Sequence, residues 1–95
     1  MEFDIDVLDE VLKKLEFNFI EERCGFQNNI NCLIYRKEGN SRIISTELKV
    51  YFDRKNNKFI TIHSNLWKFE LNNFISENRS LFREVKLNKL LNENN

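Results

Sequence analysis

Glu47 and Lys49 stand two residues apart in the run TELKV, a spacing that puts both side chains on one face of a strand. A carboxylate so placed can help hold Mg²⁺ while a lysine orients or activates water, which is hydrolytic chemistry. His63 is the single histidine, so a Cys/His nucleophile pair would depend on tertiary proximity to Cys24 or Cys32 and is not expected. If a hairpin turns through residues 27–29, those two cysteines face each other in CGFQNNINC, and a disulfide becomes geometrically possible. Reduced thiols acting as small hydrophobes are the expectation. Two cysteines and one distant histidine cannot complete a four-ligand zinc site. Gly25 and Gly39 stand alone, so no phosphate-cradling loop is present. Neither a cofactor nor a metal is expected.

The Glu47-Leu48-Lys49 triplet resembles the signature of the PD-(D/E)xK nucleases, and the helix, strands, helix, strand order is broadly similar to that family's core. The resemblance implies Glu47 as a metal-holding acid and Lys49 as the water-orienting base. The family also places an acid, usually Asp, on the preceding strand. Here that strand reads INCLIYRKE, whose one acid, Glu38, sits at the turn. With the turn at 39–40, Cys32 falls opposite Glu47, and a thiol does not replace a carboxylate on Mg²⁺. The expected reading is alternating charge on a solvent-facing strand, with a degenerate nuclease as an alternative.

Cations gather in two places: Arg54, Lys55 and Lys58 at a hairpin tip, and Arg79, Arg83, Lys86 and Lys89 near the end. A hairpin so charged can contact phosphates, which makes a small nucleic-acid-binding domain the other alternative. The element order is similar to the double-stranded-RNA-binding domain, but the Lys-rich start of that fold's last helix is replaced by SNLWKFELNN. Acids concentrate at the other end. Residues 1–22 hold eight acids against Lys13 and Lys14, although the whole chain has a formal net charge of zero. Acids near a helix N-terminus are favourable in themselves. Glu2, Asp6, Asp9 and Glu10 also form a candidate docking face for a basic partner surface.

These residues need a scaffold, and periodicity supplies one. Ile5, Val7, Leu8, Val11, Leu12 and Leu15 share one arc of a helix over residues 4–16, with acid-first pairs Asp9–Lys13 and Glu10–Lys14 opposite and Asp4 able to cap its start. Strands follow: one from Phe17 to about Cys24, then INCLIYRK with apolar residues on both faces, as suits a central strand. A third runs from Arg42 to Phe52 with its even positions apolar, and KFITIHS is the fourth. A three-residue loop at 55–57 would pair Phe52 with Ile60 and Val50 with Ile62, with Asn57 left-handed. Ser64 or Asn65 can cap a second helix reaching about Arg79. Residues 81–91 are apolar all round as a helix, so a short last strand over 82–87 is expected, with 88–95 as a frayed tail.

Composition frames the whole. The 95 residues include no alanine or proline but fifteen asparagines, the mark of an AT-rich genome. An apolar content of 41% with nine Phe indicates a packed core. No apolar run is long enough to cross a membrane, and the acidic start lacks the order of a signal peptide, so an intracellular (cytoplasmic) chain is expected. The expected fold is one compact α+β domain, 1–95. In it an amphipathic N-terminal helix packs on an antiparallel sheet of four to five strands, with a second helix after the meander. The expected function is a non-catalytic protein-binding module, of the kind that phages and mobile elements use as anti-CRISPR-like inhibitors or toxin-immunity proteins. It would occlude a basic surface of a nucleic-acid-processing partner, and homodimerisation through a sheet face is a weaker expectation.

Overall fold

The computed structural model describes residues 4–26, 29–39, 45–66 and 68–93. Helix α1 (Ile5–Lys14) leads into four strands, β1 (Asn18–Phe26), β2 (Ile30–Lys37), β3 (Thr46–Asp53) and β4 (Lys58–Ser64), and two helices close the chain, α2 (Leu71–Glu77) and α3 (Arg79–Glu93). The strands form one antiparallel sheet in the order β1-β2-β3-β4, a meander in which each strand pairs with its sequence neighbours. This is the expected α+β fold with its N-terminal helix on the sheet. Among the described residues no helix is long and apolar enough to cross a membrane.

The apolar arc of α1 buries Ile5, Val7, Leu8, Val11 and Leu12 against Leu33 and Tyr35 of β2 and Leu48, Val50 and Phe52 of β3. Both ends of the helix are closed by the backbone. Asp4 occupies the capping position, but its side chain makes no capping hydrogen bond and pairs instead with Lys58 Nζ at 3.3 Å. The Ile5 N–H, orphaned at the helix start, donates to the Asn57 carbonyl at 3.1 Å. At the far end Phe17 N–H donates to Leu12 and Glu16 N–H to Lys13, the Schellman pattern, with Glu16 left-handed at φ 70° where glycine is usual.

Register departs from expectation at three points. Glu47 pairs with Arg36 and not with Cys32, so the β2–β3 connection is longer than a turn at 39–40 allows. Val50 pairs with Ile62 as the apolar matching requires, but a bulge then sets Phe52 opposite Phe59 and leaves Ile60 exposed. The bulge lets both Phe59 and Ile62 reach the core, which strict alternation would forbid. Asn57 does carry the left-handed turn, at φ 56°. Finally, Cys32 lies opposite Arg23, beside an irregularity in β1, so the hairpin does not set the cysteines face to face; Cys24 is an exposed and Cys32 a buried free thiol.

The C-terminal third corrects the sequence expectation most. Ser64 ends β4, and the Asn65 side chain extends that ladder by accepting from Glu47 N–H and donating to the Ser45 carbonyl; helix begins only at Leu71. Trp67, expected on the helix's apolar side, lies outside the described residues. Asn78 separates α2 from α3, and its side-chain amide donates to the Phe74 carbonyl at 2.8 Å. Residues 82–87 are helix, not strand, and 88–93 are the last turns of α3, not a frayed tail. Phe82 and Val85 bury against the core, with Phe82 edge-on to Phe74 at 6.3 Å. Leu81 packs beside the core, while Leu87, Leu90 and Leu91 face outward.

Candidate functional site

The acids of α1 serve the fold first. Asp9 Oδ1 accepts a hydrogen bond from the Tyr35 hydroxyl at 2.5 Å, and its other oxygen pairs with Lys13 at 2.8 Å. Tyr35 is 1% exposed. Burial, and then the adjacent carboxylate, hold its phenol protonated far above the usual range. Asp6 accepts from the Asn57 side chain at 3.1 Å and faces Lys89 of α3 at 3.7 Å. Exposed Glu10 borders a shallow cavity of about 370 Å³ shared with Lys14, Val85, Asn88, Lys89 and Asn92. Glu2 lies outside the described residues. A continuous acidic face is therefore partly neutralised from within.

The basic hairpin is divided in the same way. Arg54 and Lys55 are exposed, while Lys58 is tied to Asp4. The turn itself is set by Asp53, whose carboxylate accepts from Lys55 N–H at 2.9 Å and from the Asn56 amide at 2.9 Å, bonds that hold it below the ordinary carboxylate range.

Glu47 and Lys49 lie on the sheet face opposite the helices. Lys49 is directly across from His63, whose ring sits 5.1 Å from that of Tyr51. These side chains line a cleft of about 220 Å³ that Ser64 and Asn65 close. The residue beside Glu47 on β2 is Arg36, a cation where the nuclease resemblance requires an acid. No group of three His, Cys, Asp or Glu among the described residues could hold a metal ion. On this face Cys32 and Ile34 are buried without a covering helix, between Glu21, Arg23, Lys49 and Tyr51 of the neighbouring strands. The long stems of such residues cover apolar surface while their charges stay in water. Burial raises the Cys32 thiol, a direction that leaves it unreactive.

The arrangement that pattern reading missed is on the last helix. Leu87, Leu90 and Leu91 are 58%, 57% and 54% exposed, at the i, i+3, i+4 spacing of a single helical stripe. One to two turns before them, Arg79, Arg83 and Lys86 rim a cavity of about 270 Å³ floored by Ile75 and Phe82. Among the described residues no hydrogen bond or ion pair engages the side chain of any of these three cations. The signal was present in the sequence as four cations and an apolar pattern without a clear face. Positions 75, 79, 82, 83 and 86 follow helical spacing across the α2–α3 junction, which sets Ile75 and Phe82 beside the three cations.

No protein-family model matches the chain, and neither does any curated protein or solved structure.

Proposed function

We propose that the chain is a non-catalytic, intracellular protein-binding module that docks through the outward side of α3. The observation that carries this reading is the stripe Leu87, Leu90 and Leu91, more than half exposed on a helix whose opposite side is already packed. Solvated single leucines are ordinary, but three at helical spacing form the anchor pattern by which an amphipathic helix enters a partner's groove. Occlusion of a partner surface remains the mode of action, with α3 in place of the α1 acids. Those acids already hold Tyr35, Lys13, Asn57 and Lys89. The free thiols of Cys24 and Cys32 suit a reducing compartment.

Affinity capture from the source cells, run with the wild-type chain and with Leu87→Asp/Leu90→Asp as baits, tests the reading. A partner should copurify with the first and be lost from the second, while circular dichroism and the melting temperature stay close to wild type. Identical captures from both baits would remove α3 as the docking surface.

A further inference from the structure

Resting on that reading, we infer that the cleft at the α2–α3 junction takes an acidic peptide segment of the partner. One apolar side chain would sit on Ile75 and Phe82, and neighbouring carboxylates would meet Arg79, Arg83 and Lys86. The charge pattern argues for an anion. Arg79 and Arg83 are one helical turn apart and Lys86 lies a turn further along, so three like charges line one side of α3. Like charges at that spacing destabilise a helix, and among the described residues no acid lines the cavity to offset them. A carboxylate that binds in a bidentate way to an arginine fork relieves this repulsion and adds directional hydrogen bonds.

The floor argues for a peptide over the other polyanions. Ile75 and Phe82 are buried apolar residues, and the cavity of about 270 Å³ has room for one large side chain. A nucleic-acid duplex keeps its base faces stacked inside and presents only sugar and phosphate to such a cleft. A bilayer surface would have to accommodate Glu84, exposed on the same helix, and a chain with no net positive charge. An acidic segment carrying one aromatic or aliphatic residue satisfies both floor and rim, and it continues naturally onto the leucine stripe beyond. Charge complementarity of this kind sets partner choice and speeds encounter.

The probe is a fluorescein-labelled peptide with one phenylalanine between two pairs of glutamates, titrated with the full chain and followed by fluorescence anisotropy. Binding should weaken several-fold when salt is raised from 50 to 300 mM, as expected for partly exposed charge pairs. It should weaken at least tenfold in Arg79→Gln/Arg83→Gln, by less in Lys86→Gln alone, and when alanine replaces the peptide's phenylalanine. Arg54→Gln/Lys55→Gln, at the distant hairpin, should leave peptide binding unchanged, and the lysate capture with Leu87→Asp/Leu90→Asp is read separately, so failure of the cleft and failure of the leucine surface are distinguishable. Lys86→Gln also keeps the test decisive if the double variant does not fold. The inference is overturned if a lysine-for-glutamate peptide binds as well, or if the folded glutamine variants bind like wild type. Tighter binding to phosphatidylserine vesicles or to oligothymidylate than to the peptide overturns it equally.

Discussion

Tyr35 is a fully buried phenol that ties the sheet to α1. From β2 its hydroxyl donates a hydrogen bond to the Asp9 carboxylate of α1. Loss of such a hydrogen bond to a charged acceptor costs about 1–2 kcal/mol, less than a fully buried case because Asp9 keeps Lys13 and some solvent. Tyr35→Phe should lower the unfolding free energy by that amount at neutral pH, read as a lower urea midpoint at unchanged slope. The same residue fixes an alkaline limit. An unfolded tyrosine ionises near pH 10, whereas the folded phenol is raised and stays protonated. The native state therefore binds the extra proton, and its contribution to stability is complete below about pH 10 and declines as pH rises above it. Urea midpoints measured from pH 9 to 11 should fall more steeply for wild type than for Tyr35→Phe. Parallel curves would mean that the phenol is not held protonated. Asp9 shows how a candidate residue can be seen in the sequence while its partners in the fold cannot. Its exposure pattern on a helical wheel is that of a surface acid, and the phenol that claims it is 26 residues away.

At the level of elements, α1 and the strands were legible and α3 was not. The arc of α1 has one apolar side, so periodicity alone identifies both the helix and its buried residues. The alternation of Leu48, Val50 and Phe52 is as clear, and all three are buried. Helix α3 has two apolar sides, one for the core and one facing water, and summed around the circumference they cancel the signal that a helix normally shows. The two sides should respond differently to truncation. Phe82→Ala removes a buried ring packed on Phe74 and should cost about 3–5 kcal/mol, while Leu90→Ala should change stability by no more than about 0.5 kcal/mol. Chemical denaturation of the two variants measures this; a comparable loss in both would show that the leucines belong to the core. Boundaries failed for a local reason. Ser64 and Asn65 have the side chains of helix caps, yet Asn65 uses both ends of its amide to prolong the β3–β4 ladder.

Across the whole molecule, charge is sorted by the fold and not by position in the chain. The acidic first segment meets lysines from β4 and α3 through Asp4–Lys58 and Asp6–Lys89. All four of these side chains are a third or more exposed, and pairs of that kind contribute about 0–1 kcal/mol. The melting temperature should accordingly move little between 50 and 500 mM NaCl, in contrast to the salt dependence expected of peptide binding at the α3 cleft; a large drop would show that these pairs hold the helices in place. Taken alone, the sequence determined the α+β class, the meander, the helix on the sheet and the apolar sets that drive them, because these follow from side-chain period and short-range turn chemistry. Tertiary structure decided the register of β2 against β3, the bulge at Ile60, the separation of the cysteines and the fate of each charge. Those depend on which distant residue arrives opposite, information that no local period contains. The fifteen asparagines illustrate both halves. Their abundance is a property of composition, but Asn57 joining a turn to α1, Asn65 extending a ladder and Asn78 closing the end of α2 are properties of the folded chain.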